Sequence, residues 1–210
     1  MILIGMYDSP FVRRVAIAMR LYGMDYEHRP WSTFRDADRI ADYSPLLRVP
    51  VLVLDDGEVL IESAAILDWL DEQVGPEKAL IAAGGTARRR ALKSCALATG
   101  LADKVVSLIY ERAIHGRDTG VWQARCRRQI GGALDSLEAL RAAAPGAWLS
   151  GSEIGHDDIA IACALRLMGE VQPGAFDLAA WPALARHAAS CEALPVFQAV
   201  VQPFFSPGEG

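Results

Sequence analysis

The 210-residue sequence has only four cysteines, Cys95, Cys126, Cys163 and Cys191, and no two of them form a close pair. Spacing this wide excludes a disulfide framework and a zinc ribbon, so the thiols are expected to be reduced and packed in helices. The four histidines, His28, His115, His156 and His187, are equally scattered, and no metal site is expected. Basic charge is also in short supply. Twenty-one Lys and Arg face 26 Asp and Glu, a net charge of −5, which excludes the basic footprint of a nucleic-acid binder. The short runs Arg88, Arg89, Arg90 and Arg125, Arg127, Arg128 read as solvated helix faces. No apolar run reaches the roughly 18 residues that a membrane span needs. The opening "MILIGMYDSP" has neither a basic start nor a small-residue cleavage site, so it does not read as a signal peptide. These absences predict a soluble, cytoplasmic protein.

What is present is a substantial core. Hydrophobic residues make up 52% of the chain, enough for two small units. The first 80 residues alternate short strands and helices. "MILIGMY" is a buried-strand pattern, Ser9-Pro10 opens a helix through Arg20, and Gly23 stops it. Phe11, Val15, Ile17, Ala18 and Leu21 should share its apolar face. "MDYEHRPW" supplies a second strand and "FRDADRIADYS" a short helical turn. In "VPVLVLDDGEVLIES", strands over 51–54 and 58–61 flank an Asp-Asp-Gly turn, a β-hairpin signature. "SAAILDWLDEQV" follows as an amphipathic helix, with Ser63 as its N-cap and Gly75-Pro76 as its stop. The order β-α-β-(α)-β-β-α occupies residues 1–77. Residues 78–86 form a Gly- and Ala-rich linker, and 87–210 read as helix with breaks at Gly116, Pro145-Gly146, Gly174 and Pro182. A small α/β domain is therefore followed by an all-α domain.

Four features of the first domain could carry chemistry. Ser9-Pro10 sits at a strand-to-helix corner, where free N–H groups and the helix dipole favour negative charge. A hydroxyl there could donate to a thiolate, or simply cap the helix. Val49-Pro50 precedes the hairpin without a loop; a cis bond would leave the Val49 N–H and C=O free to pair with an extended peptide, whereas a trans bond would make an ordinary edge proline. Glu62 suits an ammonium group and Ser63 a carboxylate, and together they match an amino-acid head group, although capping alone would also explain Ser63. Arg48 reads as a surface arginine, or as a partner for a terminal carboxylate beside Val49.

The motifs "SPFVRRV", "SPLLRVPVL" and "ESAAILDWLDE", in this order and strand context, resemble the cytosolic glutathione S-transferases of serine type, including bacterial members, over essentially the whole chain. The resemblance implies a thioredoxin-like domain with a mixed four-stranded sheet, a C-terminal helical bundle, and a homodimer. It implies that Ser9 activates the sulfur of glutathione, and that Val49, before a cis-Pro50, holds its cysteinyl part. Glu62 and Ser63 would take the γ-glutamyl group, with Arg48 near the glycyl carboxylate. Some branches use a tyrosine on the first strand; Tyr7 is expected to pack instead. Glutathione would be a co-substrate, with no other cofactor.

A weaker match lies at "GSEIGHDDIAIACALR", where the family caps a buried helix with Ser or Thr and places an Asp three residues later. Here Gly155 stands at the cap and Asp158 follows, a folding motif with half of its capping box missing. A hydrophobic electrophile would lie against Phe11 and the helix "LADKVVSLIYERAI", where Ser107, Tyr110, Glu111 and Ile114 share a face. Asp103, one turn earlier, could reach a neighbouring subunit's glutathione. The expected activity is conjugation of glutathione to that electrophile. A glutathione-dependent peroxidase or disulfide reductase would share the site, resolved by a second glutathione because Ser9 cannot form a mixed disulfide. A non-catalytic binding module would share only the fold.

Overall fold

The computed structural model describes residues 1–171 and 176–206. The expected break at Gly174 lies outside the described residues. The first unit contains β1 (Ile2–Ile4), α1 (Pro10–Leu21), β2 (Glu27–Arg29), α2 (Ala37–Ala41), β3 (Val51–Val53), β4 (Val59–Ile61) and α3 (Ser63–Val74). Its sheet has the order β2-β1-β3-β4, with β1 parallel to β2 and antiparallel to β3, and β3 antiparallel to β4. This is the mixed thioredoxin-like sheet. Leu3 and Leu52 face each other in its centre, both fully buried. The hairpin forms as expected, one residue shorter on each side. Leu54 and Glu58 instead close the turn, with the Leu54 N–H donating to the Glu58 carbonyl at 2.8 Å.

The second unit is helical: α4 (Gly85–His115), α5 (Val121–Ala143), α6 (His156–Val171), α7 (Pro182–Glu192) and the single turn α8 (Pro195–Gln198). Helix α4 begins at Gly85, inside the stretch expected to be linker. Pro182 opens α7 at its first position, where a missing N–H costs nothing. Asp158 is fully buried and accepts from the N–H groups of Leu149 and Gly155, both at 2.9 Å. The carboxylate half of the capping box thus survives without the hydroxyl half.

Helix α1 departs from its expected amphipathic pattern. Nine of its twelve residues are buried, including Arg13 and Arg14, while Leu21 at its end is exposed. It packs against α3 on one side and α6 on the other, so both faces are covered. Arg13 explains how a charge survives there. Its guanidinium donates to both carboxylate oxygens of Glu192 at 2.6 and 2.8 Å, and to the carbonyls of Val200 and Phe197. A bidentate pair with its remaining donors satisfied is the form in which a buried charge is tolerated. A second polar tie joins the units: the Asp71 carboxylate binds the Tyr22 hydroxyl and, at 2.9 Å, His156 Nε2, while Leu80 N–H donates to the Tyr22 oxygen at 2.8 Å. Burial opposes charge on Asp71, but the bonds from His156 and Tyr22 outweigh it and hold its carboxyl below the usual range.

Replacing Arg13 with Ala should lower the unfolding free energy by about 3 kcal/mol, the low end for breaking a buried pair, because Arg166 still contacts Glu192. Denaturant unfolding of the purified variant measures this; a loss under about 1 kcal/mol would match an exposed pair instead.

Candidate functional site

Between the two units lies a cleft of about 630 Å³. Its floor is the corner where β1 gives way to α1. Gly5, at φ 127°, makes this corner possible: a Cβ there would stand 2.5 Å from Val12 Cγ2 and 2.8 Å from Val49 Cβ. Only glycine lets β1, α1 and the Val49 segment meet. Ser9 is the N-cap of α1, with Pro10 at its first position. The Ser9 oxygen accepts from the Val12 N–H at 3.5 Å, a long bond that leaves its own O–H available to donate. Half-buried, Ser9 lines the cleft.

Tyr7 turns away from the cleft. Its ring stacks on His28 with centroids 3.8 Å apart, and its hydroxyl bonds that of Tyr26 at 2.9 Å. Burial first, then the Tyr26 bond, push its phenol well above the ordinary range, which makes it a packing group.

Val49 and Pro50 are joined by a cis peptide bond. Val49 lines the cleft, and its N–H and C=O make no hydrogen bond among the described residues. Pro50 is buried behind it. Glu62 and Ser63 lie beside the cleft, outside its walls. Ser63, expected as the N-cap of α3, is instead its first residue, and Glu62 holds the cap with φ 68°. The cap carbonyl accepts from Ile66 N–H at 3.0 Å, while Ser63 is buried at the helix mouth with the unpaired N–H groups of the first turn. The other non-glycine residue of positive φ among those described is Leu47, on the cleft wall. Backbone strain of this kind clusters at functional sites.

Arg48 links the two units. One nitrogen is 3.7 Å from Glu62 Oε1 and another 3.4 Å from Asp103 Oδ1 on α4. It bridges two carboxylates, and Asp103 is met from within its own chain. Arg14 adds a buried positive charge on α1, with its Nε unpartnered and burial working against the charge.

Phe11, Ser107 and Tyr110 all line the cleft. Ser107 is partly committed, its hydroxyl donating to the Asp103 carbonyl at 2.8 Å. The Tyr110 ring meets Phe34 edge-on at 5.3 Å, and burial raises its phenol pKa. Glu111 and Ile114 are not among the lining residues; Glu111 Oε2 accepts from Gln123. Sequence reasoning missed Trp31, Phe34, Phe204 and Phe205. Four of the six phenylalanines in the chain line this one cleft; Phe11 is on α1, but the other three come from a loop and a tail without periodicity.

Cys126, Cys163 and Cys191 are buried and Cys95 half-buried. Burial pushes the Cys95 and Cys163 thiols up to about 12, so neither is a nucleophile. No helix among the described residues is long and apolar enough to cross a membrane.

Residues 3–78 match the family described as glutathione S-transferase, N-terminal domain, and residues 120–190 match glutathione S-transferase, C-terminal domain. The chain is 29% identical over 175 residues to the GST-like protein YibF of Escherichia coli strain K12, covering 82% of this chain and 85% of that one. It is 32% identical over 151 residues to maleylpyruvate isomerase of Ralstonia sp, covering 68% and 69%. A glutathione S-transferase of Methylobacterium radiotolerans, solved with glutathione sulfonate, superposes with a TM-score of 0.90 at 28% identity, covering 100% of this chain and 98% of that one.

Glycine at position 62 should relieve the positive φ, so Glu62→Gly should be no less stable than wild type although glycine costs about 0.5–1 kcal/mol of backbone entropy. Glu62→Val, β-branched in the same geometry, should lose about 1–2 kcal/mol. Urea midpoints of the two variants give the comparison; equal losses would mean that Glu62 carries no backbone strain.

Proposed function

The chain belongs to the glutathione S-transferase family, and on that premise we propose that it conjugates glutathione to a small hydrophobic electrophile. The observation that carries this reading is the Ser9 corner: a half-buried hydroxyl with a free proton, at the positive end of a buried helix, opening on a cleft lined by both polar and aromatic residues. A thiolate placed there would accept from the Ser9 O–H and face the helix dipole, which lowers the thiol pKa below the ordinary value of about 8.5. The proton leaves to solvent and the sulfur is the nucleophile, forming a C–S bond as the electrophile releases its leaving group or takes up a proton.

In this reading residues 1–77 bind the tripeptide and the helical unit, 87–210, supplies the acceptor wall. The cysteinyl backbone would pair with the free N–H and C=O of Val49. The γ-glutamyl carboxylate would sit at the mouth of α3 beside Ser63, and its ammonium near Glu62 and Asp103, which Arg48 holds in place. Position, more than contact strength, is what these groups supply. Phe11, Phe34 and Tyr110 would receive the apolar electrophile. Exposed apolar side chains on the edge strand β4 (Val59) and on α4 (Leu92) favour a homodimer, and the unpaired cysteines favour a cytoplasmic setting.

Ser9→Ala should leave the fold intact and keep glutathione affinity within about threefold, while slowing conjugation roughly 10- to 100-fold, the worth of one hydrogen bond to a charged group. Steady-state rates with an activated nitroaryl halide, with calorimetry for the affinity, check this. An unchanged rate would remove Ser9 from the reaction.

A further inference from the structure

Beyond α8 the described residues form no regular secondary structure, yet 201–206 return to the corner of α1. Two hydrogen bonds hold this strap, and both reach the residues just before Ser9. The Tyr7 N–H donates to Gln202 Oε1 at 3.0 Å, and the Phe205 N–H donates to Asp8 Oδ2 at 3.1 Å. The Arg35 guanidinium lies over the Phe205 ring, 4.6 Å from its centroid. Phe204 and Phe205 line the cleft together with Phe34 and Tyr110. Without a ladder of its own, the strap is held by these ties and by Phe204 packing against the core of the helical unit, and it belongs to the low-stability end of the structure.

We propose that Asp8 is a positioning residue for the electrophile: its carboxylate latches the C-terminal strap, so that Phe204 and Phe205 wall the acceptor half of the cleft. The proposal rests on the transferase reading. Asp8 touches neither the sulfur nor the acceptor in this scheme. It sets where the aromatic wall stands, and release of the latch opens that wall without disturbing Ser9, Val49 or Glu62. Asp8 is half-buried and lines the same cleft, so the latch and the thiol corner share one turn of chain. A wall held by so few ties can open for entry and exit, and loss of the Asp8 bond should shift its closed fraction by roughly two- to twelvefold.

The test compares Asp8→Ala, Asp8→Asn and Phe205→Pro with the wild type. Asparagine keeps an acceptor oxygen for the Phe205 N–H but no charge, whereas proline removes the donor together with the Phe205 ring and leaves Asp8 in place, so that variant is read by strap exchange alone. Hydrogen exchange of amides in 201–206 is read without ligand. KM and kcat are read with an activated nitroaryl halide, and glutathione affinity by calorimetry. Asp8→Ala and Phe205→Pro should both accelerate strap exchange, and Asp8→Ala should raise KM for the aryl halide roughly three- to tenfold, with kcat and glutathione affinity changing less than about twofold. Asp8→Asn should restore wild-type exchange and KM. Should Asp8→Ala fold poorly, Phe205→Pro still decides the matter. Unchanged exchange in both latch-breaking variants would overturn the proposal, as would Asp8→Asn failing like Asp8→Ala, which would assign the effect to charge. A wild type that binds no glutathione would overturn the transferase reading, and the acceptor role with it, while the exchange data would still report whether the latch exists.

Discussion

Helix α1 is covered on both faces, and the rest of the molecule is arranged around that burial. A helix enclosed between a sheet and a helical bundle has only its ends open to anything else. Its C-terminal end closes at Gly23, where the positive φ of 67° lets the Met24 N–H return to the Met19 carbonyl. Its N-terminal end opens on the cleft. Arg13 fixes the arrangement by taking Glu192 and two carbonyls of the second unit, so the helix cannot slide or turn without leaving a buried charge unpaired. The first-turn N–H groups and the Ser9 hydroxyl are thus delivered to one place, and both units bound it.

Around that helix end several polar groups have no protein partner among the described residues. The Val49 backbone, the mouth of α3 and the Ser9 proton are all open, and Glu62 is held at a strained φ beside them. Buried or half-buried polar groups ordinarily find partners, so a cluster of open ones reads as a surface shaped for an extended, charged ligand. Arg48, bridging Glu62 to Asp103, sets these carboxylates across the two units. The aromatic side of the cleft is of different chemistry, which is the division a reaction between a polar thiol and an apolar acceptor requires.

The features legible in the sequence were those with local chemistry. The Asp-Asp-Gly turn announced the hairpin, Ser-Pro announced the start of α1, and Val49-Pro50 stood where the cis bond is found. The burial of α1 was not legible, because Arg13 and Arg14 look like solvent-facing residues until Glu192, some 180 positions later, is brought to the first of them. Ser63 looked like a cap because serine favours that position; the cap fell to Glu62 because the chain turns sharply out of β4, a backbone geometry no residue preference signals for glutamate. Gly5 passed as part of a strand, since the close approach of Val12 and Val49 exists only in three dimensions. The strap of 201–206 has neither period, and its two phenylalanines reach the site through contacts with residues far away in sequence, among them Asp8 and Arg35.

The central claim is that the end of α1 holds glutathione as its thiolate. The measurement that tests it most directly is the ultraviolet absorbance of the thiolate in the wild-type complex with glutathione, titrated from acid to alkaline pH. A midpoint at least about one unit below the ordinary thiol value of about 8.5 is the predicted result. Bound glutathione that titrates like the free tripeptide, or no binding at millimolar concentration, would contradict it.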